Sequence, residues 1–202
     1  MSQLISSHRP QIEPFLTVDL RSITVTPVQF EQLCHDNPDL RMELSARGEL
    51  IVMPPTGSKT GIRNSLLTSR VGQWAESDGT GVSFDSSAGF TLPDGAIRSP
   101  DASWIRRERW ESLTREDQEG FAPLCPDLVI ELRSPTDRLT DIKEKMAEYI
   151  ENGARLGFLI DPFERRVHVY RPGKDIEIVD DAERIVGEPE LPGFVLSLRD
   201  LW

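Results

Sequence analysis

A mixed α/β (α+β) fold in a single domain is the class that the sequence predicts, and three observations predict it. Short apolar runs of strand length, such as Leu128 to Leu132 and Leu156 to Ile160, recur between turn signals along the chain. Two long stretches, Thr60 to Ala75 and Arg138 to Asn152, keep a helical period instead. At 202 residues, 38% hydrophobic and 28% charged, the chain suits one globular core, with roughly 70% of its unfolded surface removed from water.

Residues 1–20 carry Pro10 and Pro14 without a clear period and read as an N-terminal arm; the domain proper spans 21–202. Thr26-Pro27 supplies an N-cap and a proline at the first helical position, opening a short helix that stops before Asn37-Pro38. Leu44 to Met53, with Gly48 in its middle, reads as a hairpin or bent strand ended by Pro54-Pro55. In the first long helix Leu67, Val71 and Trp74 repeat at i, i+4, i+7, and Ile62 and Leu66 widen the apolar face. Strand signals follow over Val82 to Phe84, Phe90 to Leu92 and Ala96 to Ile105, the last two parted by the Pro93-Asp94-Gly95 turn. Arg106 to Gly120 is charged and turn-rich, a surface helix or loop. Asp127 to Leu132 has the apolar density of a buried strand. The second long helix follows and is stopped by Gly153, then comes strand Leu156 to Ile160 before Asp161-Pro162. A hairpin over Val167 to Tyr170 and Ile176 to Val179 turns at Pro172-Gly173, and Phe194 to Leu201 ends the chain as strand or turn.

Composition excludes several functions. With 34 acidic against 23 basic side chains the net charge is −11, which argues against coating nucleic acid by charge alone, though a metal ion reverses a local field. Cys34 and Cys125 are too few for a disulfide framework or a four-cysteine zinc site. No Walker loop, no G-x-G-x-x-G and no pattern for a Ser–His pair appear around the three histidines. Without an apolar leader or a run near about 20 apolar residues, no membrane is expected, and a reducing cytoplasm is the default compartment.

What remains is a set of carboxylates at strand ends. Asp101 closes Arg98-Ser99-Pro100-Asp101, and Glu131 sits inside Leu128-Val129-Ile130-Glu131-Leu132, where an unpaired charge is costly. Such a carboxylate needs a cation, a hydrogen-bonding network or a raised pKa; pairing with Arg133 or Arg138 is the plain structural alternative. If paired strands bring the two acids together, they suit one hard cation such as Mg²⁺. Phosphoryl chemistry then needs further positive charge, which the following helix can supply. Lys143 and Lys145 flank its apolar stripe on opposite sides, and periodicity does not choose between them. Arg63 and Arg70 fall within the apolar arc of the first long helix, facing either a phosphate or an ordinary acidic partner. Arg106, Arg107 and Arg109 form a basic cluster diluted by Glu108 and Glu111, Ser134 and Asp137 read as turn and cap residues, and Trp74 and Trp104 read as core.

At this point the residues resemble a known family. Ser99-Pro100-Asp101, then Pro126 through Pro135, Asp141 to Tyr149 with Lys145, Asn152-Gly153-Ala154 and Leu159 to Pro162 are similar to the Uma-type restriction endonuclease family, within the PD-(D/E)XK nucleases. Gly48-Glu49-Leu50, Met53 through Gly57 and Leu191-Pro192-Gly193-Phe194 extend the likeness over about 26–202. The resemblance implies a restriction-endonuclease-like fold, a central mixed sheet flanked by helices with the site at one sheet end. It implies Mg²⁺ (or Mn²⁺), a nucleic-acid substrate taken to be DNA, and a homodimer. Asp101 takes the place of the motif Asp and Glu131 that of the second acid, together the expected metal ligands. The motif lysine's place holds Arg133, which stabilises charge but does not transfer protons easily. The resemblance moves the lysine to the next helix, favouring Lys145, and suggests Glu43 as a third acid. Arg133 and Arg63 are the expected substrate-binding residues. Two rivals stand beside a metal-dependent endonuclease: a catalytically inactive binding or assembly module, and a two-carboxylate glycosidase that leaves Lys145 without a role.

Overall fold

The structure, a computed structural model, describes residues 16–202. Thr26 opens helix α1 (Pro27–Asp36) through a reciprocal box: its hydroxyl accepts from Gln29 N, and the Gln29 side chain accepts from Thr26 N. The hairpin forms as β2 (Arg41–Leu44) and β3 (Glu49–Met53), turning where Gly48 takes a φ of 79°, which a Cβ would penalise. Residues at the end of the segment read as an arm form β1 (Leu16–Asp19) and pair antiparallel with β3. With β5 (Phe90–Thr91) and β6 (Ile97–Arg98) these make a five-stranded sheet ordered β1-β3-β2-β6-β5.

The central sheet takes β4 (Gly81–Asp85), β7 (Ala102–Arg106), β8 (Leu128–Leu132), β9 (Leu156–Asp161), β10 (Arg166–Tyr170) and β11 (Glu177–Asp180), in the order β11-β10-β9-β8-β7-β4. β8 and β9 run parallel, because helix α5 (Leu139–Glu151) returns the chain between them. The remaining neighbours pair antiparallel. A small antiparallel pair, β12 (Arg184–Val186) with β13 (Val195–Ser197), follows; of these, β12 carried no clear sequence signal.

Helices cover both faces of the central sheet. Leu67, Val71 and Ala75 of α2 (Ser58–Asp78) join Trp104, Leu128, Ile130 and Phe158 in one core. Met146 and Tyr149 of α5 join Ile105, Val129 and Leu159 in the other. Alternate residues of β8 thus face opposite helices, and each fully buried aliphatic or aromatic side chain contributes about 1.5–3 kcal/mol. Among the described residues no helix is long and apolar enough to cross a membrane.

Two readings change in the structure, and a third gains detail. The run Ala96 to Ile105 is not one strand: it breaks at Ser99-Pro100-Asp101, with β6 in one sheet and β7 in the other. Pro100 has no N–H to continue a ladder, so the chain crosses between sheets there. In α2, Ile62 is 62% exposed while Arg63 is only 6% exposed; a long aliphatic stem lets arginine occupy an inner-face position. The segment after β7 holds two short helices, α3 (Arg107–Glu111) and α4 (Arg115–Glu119).

Candidate functional site

β7 pairs with β8 so that Ala102 lies opposite Ile130, and the same register carried one residue further sets Asp101 opposite Glu131. The two acids therefore meet at one end of the central sheet. Leu132 N donates to Asp101 Oδ2 at 2.8 Å, and Asn64 Nδ2 of α2 donates to Asp101 Oδ1 at 3.2 Å. Glu131 turns to the α5 side, where Tyr149 Oη donates to its Oε1 at 3.1 Å. Lys145 lies one helical turn before Tyr149, on the same face. Its Nζ stands 2.8 Å from Glu131 Oε1 and 2.8 Å from Glu43 Oε1.

Glu43 arrives from the other sheet, on β2, and is buried. Ser99 N donates to its Oε1 at 3.0 Å, and Arg98 Nη1 donates to its Oε2 at 3.1 Å. Arg98 then reaches α5, its Nε and Nη2 donating to Glu148 at 2.6 and 3.1 Å. The Arg98-to-Asp101 crossover between the sheets thus supplies a clamp on Glu43 and the acid opposite Glu131 within four residues.

Electrostatics separates the three acids. Burial pushes Glu131 up to about 7; Lys145 works against that, and Asp101 and Glu43 push it further up. Burial also raises Asp101, opposed by the Leu132 N–H. Burial would raise Glu43 too, but Lys145 and Arg98 overcome it and hold it below the usual carboxylate range. Lys145 is held well above its ordinary value: burial lowers it, and Glu131 and Glu43 more than offset that. Among the described residues no three His, Cys, Asp or Glu side chains gather as a ready metal cage. Two carboxylates across paired strands nevertheless fit a hard cation that completes its shell with water and substrate oxygens. On the residue that donates to Asp101, Asn64 Oδ1 is buried with no hydrogen-bond partner among the described residues.

The other candidates are placed as follows. Arg133 Nη1 pairs with Asp161 Oδ2 at 2.7 Å and its guanidinium lies 5.5 Å from the Phe163 ring centroid, so the structure does not pair it with Glu131. Arg63 has no ion-pair partner among the described residues, and its buried Nε has no acceptor. Arg70 donates to the Ser197 carbonyl at 2.9 Å. Arg109 pairs with Asp127 at 3.0 Å, which neutralises part of the basic cluster. Ser134 N donates to Asp137 Oδ2 at 2.6 Å, a turn contact. Cys125 is buried, and burial pushes its thiol up to about 12.

Sequence reasoning missed Arg98, Tyr149 and Asn64. Tyr149 read as part of an apolar stripe, yet its spacing of four from Lys145 was a usable signal. Arg98 opens the segment Arg98-Ser99-Pro100-Asp101 without a local sign of its role, and nothing local marks Asn64.

Residues 27–199 match the Uma2 family, whose description is "Putative restriction endonuclease". No curated protein matches the chain. A crystal structure from Anabaena variabilis ATCC 29413, titled a "putative nuclease belonging to DUF820", aligns with a TM-score of 0.71 at 26% identity, over 88% of this chain and 97% of that one. The fold is accordingly restriction-endonuclease-like, a central mixed sheet flanked by helices, with Asp101 and Glu131 at one sheet end. The match over residues 27–199, most of its length, makes this chain a member of the Uma2 family.

Proposed function

We propose that the protein is a metal-dependent endonuclease that hydrolyses phosphodiester bonds of DNA. The observation that carries this reading is the Lys145 ammonium set between Glu131 and Glu43 beside Asp101, at the end of a nuclease-type sheet. Asp101 and Glu131 would hold Mg²⁺ or Mn²⁺. When bound, such an ion supplies a Lewis acid and lowers the pKa of a coordinated water. Lysine has three donors; two meet carboxylates here, and the third orients the attacking water and offsets charge on the phosphate. Glu43, clamped by Arg98 and Ser99 N, keeps Lys145 in place. Arg63, a buried cation without an acidic partner among the described residues, meets a substrate phosphate, and Arg133 adds positive charge at the same sheet end. A homodimer would present one such site to each strand, and sedimentation velocity is expected to give twice the 22.8 kDa chain mass.

The test is cleavage of supercoiled plasmid. Nicked or linear product is expected with Mg²⁺, none with EDTA, and a loss of at least ~10²-fold in Asp101→Ala and in Glu131→Ala. Cleavage that survives EDTA, or that both variants retain, overturns the reading. The net charge of −11 and Arg133 at the motif lysine's place favour a second reading, an inactive binding or assembly module. Retained metal binding with plasmid left intact under every metal would establish it.

A further inference from the structure

Both oxygens of Asp101 are held from outside its own strand. Leu132 N, on β8, donates to Oδ2, and Asn64 Nδ2, two turns into α2, donates to Oδ1. Together they fix the carboxylate plane from two elements at once. An ionised carboxylate only accepts hydrogen bonds, so Asn64 presents its NH₂ to Asp101 and its amide oxygen must find a donor of its own. That oxygen is buried and has no donor among the described residues. Buried polar atoms are nearly always satisfied, and an exception at a site points to a partner that arrives with a ligand.

Resting on the endonuclease reading above, we infer that Asn64 is a positioning residue: its NH₂ sets the Asp101 carboxylate for metal binding, and its oxygen accepts a hydrogen bond from a water that the ion brings. Outer partners of this kind orient ligand carboxylates, and their loss commonly costs 10–100-fold in metal affinity. Asn64 is partly exposed, so a same-sized substitution does not disturb the core.

Mn²⁺ titration calorimetry on the wild type, Asn64→Leu, Asn64→Gln and Asp101→Ala tests this, alongside plasmid kinetics and unfolding temperatures. Asn64→Leu keeps the volume without the hydrogen bonds. It is expected to weaken Mn²⁺ binding by about 10–100-fold and to lower kcat more than KM, with the unfolding temperature unchanged. Asn64→Gln, which keeps the amide, is expected to recover part of the affinity. Unaltered Mn²⁺ affinity in Asn64→Leu, with only the unfolding temperature lowered, would overturn the inference and leave Asn64 a strut between α2 and β7. If Asp101→Ala also binds Mn²⁺ like the wild type, the assignment of the metal to Asp101 has failed, and the role of Asn64 falls with it.

Discussion

Lys145 serves two buried carboxylates with one ammonium, and its replacement shows what that shared contact does. Lys145→Met is expected to reduce plasmid cleavage by on the order of 10²-fold, the scale of losing one preorganised charge-stabilising group. Lys145→Arg, with a bulkier fork, is not expected to restore the rate; single-turnover cleavage assays check both. Much of this site was legible at the residue scale. Glu131 announced itself as a charge inside Leu128 to Leu132, and Asp101 by its place after Pro100. Periodicity alone left Lys143 and Lys145 equal, because the wheel cannot tell which edge of a helix faces an acid. Arg98 was illegible for the same reason: its partners, Glu43 and Glu148, lie 55 and 50 residues away.

At the scale of elements, the crossover from β6 to β7 ties the two sheets and α5 to one arginine. Arg98→Ala leaves Glu43 and Glu148 without that cation and is expected to cost about 3–5 kcal/mol, read by urea unfolding. The edge strand β4 depends on close approach instead. A Cβ at Gly81 would stand 2.2 Å from the Trp104 ring and 2.4 Å from the Ile105 carbonyl oxygen. Gly81→Ala is therefore expected to destabilise by about 1–3 kcal/mol or more, read by the same titration. On β10, burial and the nearby Lys143 hold the His168 imidazole below its ordinary value of 6.5. The unfolded chain then takes up the proton first, so stability present above pH 6.5 is lost as the pH falls below it. His168→Gln should flatten that loss between unfolding curves at pH 7 and pH 5. Element types were mostly readable from capping and period: the Thr26 cap, the Gly48 turn and Gly153 after α5 each appear where the sequence places them. The break at Pro100 was not read, since Ala96 to Ile105 has strand composition on both sides and only the pairing partners differ.

For the molecule as a whole, a net charge of −11 has to coexist with a polyanionic substrate. The basic side chains are largely used internally: Arg98 and Arg109 both pair with acids. Phosphate contacts should then be few and local. With Arg63 and Arg133 as two such contacts, the log–log salt dependence of duplex binding is expected near a slope of about −2, measured by fluorescence anisotropy; a slope of about −6 or steeper would require a basic track that this account lacks. The two-sheet arrangement could not be read from sequence, because it rests on pairings between distant segments such as Leu44 with Ile97. The mixed class could, because apolar runs of strand length and two long helical periods are local properties.

The central claim is that Asp101 and Glu131 form one metal site at the end of the central sheet. Calorimetric titration of Mn²⁺ into the wild type and into the Asp101→Ala, Glu131→Ala double variant tests it most directly. Saturable binding in the wild type that disappears in the double variant is the predicted result; equal binding in both proteins would place the ion elsewhere and contradict the account.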